Sequence, residues 1–111
     1  MKPITDTTLI SVMAATDKPM VIKFEAKWCA PCKAMTPILA EIEKEYGDRV
    51  DFFTANVEHC QLITQRYGVT QIPAVIVLDG GIVTGKRVGA GSRQEITEWM
   101  VRTVPSLRNE R

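Results

Sequence analysis

Short apolar runs alternate with amphipathic segments along this chain, and the alternation predicts an α/β fold. Residues 20–26 are rich in branched and aromatic side chains, and residues 74–78 form a continuous apolar run, as strands buried in a sheet do. Between them, residues 30–46 repeat apolar positions at helical spacing, which predicts an amphipathic helix that ends at Gly47. Pro37 lies inside that helix, and the backbone hydrogen bond that it removes predicts a kink.

The rest of the chain continues the alternation. The other expected elements are helices at 6–15 and 60–67 and strands at 50–57 and 82–88. Thr5 or Asp6 is available as the N-cap of the first helix. Residues 79–81 (DGG) are a hairpin turn signal, and residues 92–95 (SRQE) form a capping box that opens a last helix. The core-facing residues of that helix are expected to be Ile96, Trp99, Met100 and Val104.

The resulting order, α-β-α-β-α-β-β-α, predicts a mixed central sheet flanked by about four helices. Alternating strands and helices in the first half imply parallel crossovers, and the terminal hairpin adds antiparallel strands to the same sheet. A chain of 111 residues suits one compact domain, so we expect residues 1–111 to form a single unit.

Composition argues against several classes of function. The formal net charge is +1 and no basic stripe alternates with aromatic residues, so nucleic acid is not an expected partner. No apolar stretch approaches the roughly 20 residues of a membrane span, and the first residues lack the features of a secretory signal. We therefore expect a cytoplasmic protein without a membrane partner, and we expect it to be a monomer.

Cysteines carry the candidate chemistry. Three of them are too few for a disulfide-scaffolded secreted domain. Cys29 and Cys32 lie at a strand–helix junction, where one disulfide can join them while the first sulfur stays near the helix N-terminus. Unpaired N–H groups and the helix dipole stabilise a thiolate there, which favours Cys29 as the nucleophile and a more buried Cys32 as the resolving thiol. Pro31 between them suits a first helical turn.

Two other interpretations of the pair stay open at this point. Two core cysteines can fall three residues apart by chance, although the junction and the neighbouring Trp28 favour a site. By residue type, His59 and Cys60 would complete a Cys₃His set with the pair, although adjacent ligands are unlike the spaced ligands of structural zinc. We expect no metal and no bound cofactor, because a dithiol itself carries the two electrons of a disulfide exchange.

An ordered set of motifs between Ile4 and Val104 resembles the thioredoxin family. Residues 28–33 (WCAPCK) are similar to the family's Trp-Cys-Gly-Pro-Cys-Lys motif. Ile72-Pro73 resembles the segment that holds the family's cis-proline, and Val88-Gly89-Ala90 resembles its substrate-facing glycine loop. The spacing between these landmarks is kept without a gap.

The resemblance implies a thioredoxin fold and a protein-disulfide oxidoreductase. It implies that Cys29 attacks a substrate disulfide, that Cys32 resolves the mixed disulfide and that Pro73 is cis. The implied partners are disulfide-bearing proteins and an NADPH-dependent thioredoxin reductase. The implied substrate contact surface consists of Trp28, Ala30, Pro31, Ile72, Gly89 and Ala90.

Lys23 and Thr54 depart from the family's pattern. The family has a buried acid at the position of Lys23 and a lysine at the position of Thr54. A protonated Lys23 would favour the thiolate and make the pair more oxidising, whereas an unpaired buried Lys23 would lose its proton and act as a base toward Cys32. Glu25 follows two residues later on the same strand face and is the expected partner, unless Lys23 extends into water.

Cys60 lies in a stretch, residues 58–61 (EHCQ), that is similar to one in animal thioredoxins with an extra regulatory cysteine. The cysteines that accompany it there are absent here, so we do not expect a regulatory intramolecular disulfide. An inert half-buried thiol or an intermolecular adduct remains as the interpretation of Cys60.

A binding or assembly module with incidental redox activity is the alternative function. The departures at Lys23 and Thr54, together with Glu25 in place of a family tryptophan, favour that alternative. The intact cysteine pair and Ile72-Pro73 favour the oxidoreductase.

Overall fold

The computed structural model describes residues 1–108 as a mixed five-stranded sheet covered by helices. The strands are β1 (Lys2–Pro3), β2 (Met20–Glu25), β3 (Asp51–Asn56), β4 (Ala74–Asp79) and β5 (Ile82–Val88). The helices are α1 (Leu9–Ala14), α2 (Ala30–Tyr46), α3 (Gln61–Arg66), α4 (Arg93–Thr103) and α5 (Pro105–Arg108). None of the helices within residues 1–108 is long and apolar enough to cross a bilayer.

The sheet has the strand order β1-β3-β2-β4-β5, with β2 at its centre. β2 and β1 both pair with β3 in parallel, whereas β4 runs antiparallel to both β2 and β5. The predicted mixed sheet with a parallel first half and an antiparallel C-terminal hairpin is therefore confirmed.

Alternating residues of β2 face two separate cores. Ile22 and Phe24 pack with Leu9 of α1 and Ile63 of α3 on one face of the sheet. Val21 belongs to the opposite core, which also takes in the following residues of α2 and α4: Met35, Leu39, Ile42, Ile96, Trp99 and Met100. Because side chains alternate along a strand, Lys23 lies on the α2 side, beneath the first turn of that helix.

Local turn and cap signals form as predicted in the second half of the chain. Gly80 and Gly81 connect β4 to β5 with φ angles of 60° and 83°, a conformation that favours glycine. The Ser92 side chain accepts a hydrogen bond from the Glu95 N–H, and the Glu95 carboxylate accepts one from the Ser92 N–H, which completes the capping box. Val104 is buried as expected, but it caps α4 rather than lying within it.

The N-terminal segment differs from the prediction. The first helix starts only at Leu9 with Thr8 as its N-cap, so the prediction of Thr5 or Asp6 in that role is wrong. The Asp6 carboxylate instead accepts hydrogen bonds from the backbone N–H groups of Leu62 (3.2 Å) and Ile63 (3.0 Å) in the first turn of α3. Two short elements, β1 and α5, were not predicted from the sequence.

Candidate active site

Cys29 and Cys32 are joined as a disulfide where β2 leads into α2. Cys29 is the N-cap of α2, and its sulfur accepts a hydrogen bond from the Cys32 N–H at 3.2 Å. Pro31 occupies the first turn of the helix. Backbone N–H groups of that turn have no acceptor within the helix, so the missing N–H of proline costs no hydrogen bond. The predicted position of the first cysteine at a helix N-terminus is confirmed.

The disulfide lies in a small apolar cluster at the edge of the core. The cluster contains Ala26 and the two cysteines, and the half-buried side chains of Val57 and Ile72 pack against it. Cys29 is 4% exposed and Cys32 is 1% exposed, so the expected difference in their burial is small. Trp28, the residue before the pair, is 68% exposed and presents a broad apolar surface beside it.

The Ile72–Pro73 peptide bond is cis, as the resemblance implied. The Gly89 N–H donates to the Pro73 carbonyl at 2.8 Å, which places the 88–90 segment beside the proline. Gly89 has a φ angle of 95°, and a Cβ atom added there would meet no heavy atom within 4 Å. The surface at Gly89 is therefore open, and it continues into the exposed Ala90.

Lys23 is fully buried beneath the first turn of α2. Its ammonium group forms an ion pair with the Glu25 carboxylate at 2.6 Å. It also donates to the Cys32 carbonyl oxygen and to the Thr36 hydroxyl, both at 2.7 Å. The predicted pairing with Glu25 is confirmed, and the alternatives of an unpaired Lys23 or one that extends into water are wrong.

Glu25 and Thr36 connect this buried charge to solvent. The Glu25 side chain is 29% exposed and lines a surface cavity together with Cys32, Lys33 and Thr36. The Thr36 hydroxyl also donates to the Cys32 carbonyl at 3.3 Å. Thr36 was not singled out from the sequence, although its position four residues after Cys32 on a helix would have placed it over the same strand.

The sequence comparisons agree with this geometry. The family model described as Thioredoxin matches residues 1–102. The chain belongs to the thioredoxin family. Its relatives include a thioredoxin from Rickettsia bellii, 30% identical over 87% of this chain and 92% of that protein. They also include thioredoxin C-2 from Corynebacterium nephridii, 31% identical over 86% of this chain and 89% of that protein.

Membership of the thioredoxin family and the joined Cys29–Cys32 pair make this protein a thiol–disulfide oxidoreductase. Such proteins act on disulfide-bearing protein substrates. In this family member, Lys23 pairs in register with Thr54 of β3 and with Val75 of β4. The buried Lys23 therefore lies at the centre of the sheet, directly under the redox-active turn.

Cys60 lies apart from this site. Its thiol is buried and donates to the Ile4 carbonyl at 3.2 Å. Burial raises the pKa of Cys60, and the nearby Asp6 carboxylate raises it further. Within residues 1–108, no group of three or more histidine, cysteine or acidic side chains is placed to hold a metal ion.

Proposed function

We propose that this protein reduces disulfide bonds in other proteins through a Cys29–Cys32 dithiol–disulfide cycle. The Cys29 thiolate attacks a substrate disulfide and forms a mixed disulfide, which Cys32 then attacks to release the reduced substrate. The observation that carries this proposal is the position of Cys29 as N-cap of the long helix α2, with its sulfur on the Cys32 N–H. Both the N–H group and the helix dipole favour a thiolate there.

An extended substrate segment is proposed to lie across the open surface beside the disulfide. Trp28 and Ile72 would contact its side chains, and Ala30 and Pro31 would form the edge nearest the sulfurs. The open space over Gly89 and the exposed Ala90 supports the approach of a substrate backbone next to the cis-proline. Pro73 would hold that edge in place.

Lys23 is proposed to tune the redox equilibrium by charge. Its ammonium lies against the Cys32 carbonyl in a buried site, where a charge is screened less than at the surface. A positive charge there stabilises the thiolate of the reduced pair, so it raises the reduction potential. The partly exposed Glu25 offsets only part of this effect because its own charge is partly hydrated.

Family membership supports a proposal about the recycling partner. We expect a dedicated NADPH-dependent thioredoxin reductase to recharge the oxidised protein, and we expect the protein to act as a cytoplasmic monomer. No bound cofactor is needed, because the two thiols carry both electrons.

Reduction of insulin by this protein, with dithiothreitol as electron donor, tests the proposal. The wild-type chain and C60S are expected to accelerate insulin reduction alike, whereas C29S and C32S are expected to reduce it no faster than dithiothreitol alone. Cys60 is the matched control because it is a cysteine outside the site. Unchanged activity in C29S would contradict the proposal. If the C29S/C32S double variant restores the phenotype of cells that lack this protein as fully as the wild-type chain does, the binding module is favoured.

A further inference from the structure

The protons of the Lys23 ammonium are all engaged. Its three hydrogen-bond acceptors are the Glu25 carboxylate, the Cys32 carbonyl and the Thr36 hydroxyl. Because the Thr36 hydroxyl uses its own proton toward the Cys32 carbonyl, it accepts from Lys23 rather than donating to it. Three acceptors match the three protons of an ammonium, so the surroundings of Lys23 suit a hydrogen-bond donor and offer it no proton to accept.

Glu25 is the acidic residue of the same network, and its carboxylate can accept a proton. Among the described residues that line the cavity beside Cys32, Glu25 carries the only carboxylate. The other charged residues that line this cavity are Lys27 and Lys33, and the Lys23 ammonium pairs with the Glu25 carboxylate. The Glu25 side chain is 29% exposed, so water has access to its carboxylate.

We propose that Glu25 accepts the Cys32 proton when the mixed disulfide is resolved, through water in the cavity that both residues line. In the wild-type chain the carboxylate lies 2.6 Å from the Lys23 ammonium, but the step itself uses only the carboxylate and the cavity water. The inference rests on the proposed function and assigns a role that neither the sequence motif nor the disulfide itself supplies.

The step balances as follows. The Cys32 thiol gives its proton by way of water to the Glu25 carboxylate, and the thiolate attacks the Cys29 sulfur. A Cys29–Cys32 bond forms while the bond from Cys29 to the substrate sulfur breaks, and the electron pair leaves with the substrate sulfur. The two cysteines are oxidised by two electrons and the substrate disulfide is reduced by two. Glu25 returns its proton to the cavity water, from which the leaving thiolate is protonated.

A matched pair of variants isolates the carboxylate. E25Q alone would leave Lys23 buried without a partner and could unfold the protein. K23M removes that buried charge and keeps the Glu25 carboxylate, whereas K23M/E25Q lacks both charges. K23M/E58Q is the control, because Glu58 is an exposed carboxylate outside the cavity.

Stopped-flow reaction with 5,5′-dithiobis(2-nitrobenzoate) separates the two chemical steps. The first release of thionitrobenzoate reports attack by Cys29 and depends on reagent concentration, whereas the second reports resolution by Cys32 and does not. Loss of a general base is expected to slow the second release in K23M/E25Q by at least about tenfold relative to K23M, with the first release unchanged. K23M/E58Q is expected to match K23M in both.

The two proposals fail in different ways. A second release in K23M/E25Q that is slowed by less than about tenfold relative to K23M would overturn the role of Glu25 while leaving the cysteine cycle intact. A wild-type protein that shows no second release would instead contradict the Cys29–Cys32 cycle itself. Solvent deuterium should slow the second release in K23M more than in K23M/E25Q, and equal isotope effects would also overturn the role of Glu25.

Discussion

Replacing Lys23 by methionine is expected to lower the reduction potential of the Cys29–Cys32 pair by about 30 mV. The Lys23 ammonium lies 2.7 Å from the Cys32 carbonyl oxygen. Two unit charges about 4 Å apart interact by about 4 kcal/mol at an effective dielectric constant of about 20, which sets the scale of its effect on a nearby thiolate. Glu25, 2.6 Å from the ammonium, cancels much of this, but its side chain is 29% exposed whereas that of Lys23 is 1% exposed. A net effect of about 1.4 kcal/mol corresponds to about 30 mV for a two-electron couple.

The potential can be measured by equilibration in glutathione or dithiothreitol buffers, followed by alkylation and separation of the reduced and oxidised protein. E25Q, where it folds, should move the potential in the opposite direction, because it leaves the buried ammonium uncompensated. E58Q supplies the control for the loss of an exposed negative charge. A K23M potential that equals or exceeds the wild-type value would refute the electrostatic reasoning.

Three further predictions concern stability, measured by urea denaturation with the disulfide intact. Asp6→Ala should lower the free energy of unfolding by about 1–2 kcal/mol, because α3 loses its capping bonds, whereas Asp17→Ala at an exposed position should have little effect. The raised pKa of Cys60 means that the folded chain keeps this proton above the ordinary value of 9.0, so stability should fall as pH rises past that value. Cys60→Ala should make that fall less steep. Gly85→Ala should destabilise by about 1–3 kcal/mol, because its Cβ would lie 2.5 Å from the Thr103 Cβ; unchanged stability would contradict that contact.

The strongly periodic parts of the fold are predictable from the sequence. The helix predicted at residues 30–46 has those bounds in α2, and the strands β2 and β5 agree within a residue. In contrast, β1 consists of two residues, both exposed, and is a strand only because it pairs with Phe53 and Thr54 of β3. A strand that depends on a distant partner leaves no local pattern to find.

The start of the first helix was misplaced for the same kind of reason. Asp6 is a good local N-cap by residue type, but its carboxylate bonds to α3, more than 50 positions along the chain. Residue type alone cannot separate a local cap from a cap supplied to another helix. The tertiary contact decides which of the two forms.

The site was predicted where the sequence fixes a spacing. The cysteine pair, its place at the helix N-terminus and the pairing of Lys23 with Glu25 follow from intervals of three and two residues. The four-residue spacing places Thr36 on the same helix face as Cys32, but its contact with Lys23 depends on how α2 packs over β2. The full burial of Lys23 depends on the same packing.

The Asp6 contact also has a consequence for how well Cys60 is hidden. Helix α3 has six residues, too few to be stable alone, and its first turn is held by a carboxylate from the N-terminal segment. That segment covers Cys60 through Ile4, whose carbonyl accepts the thiol proton and whose backbone joins the sheet edge. Part of the shielding of Cys60 is thus local, because an opening of this edge would take Ile4 away from the thiol.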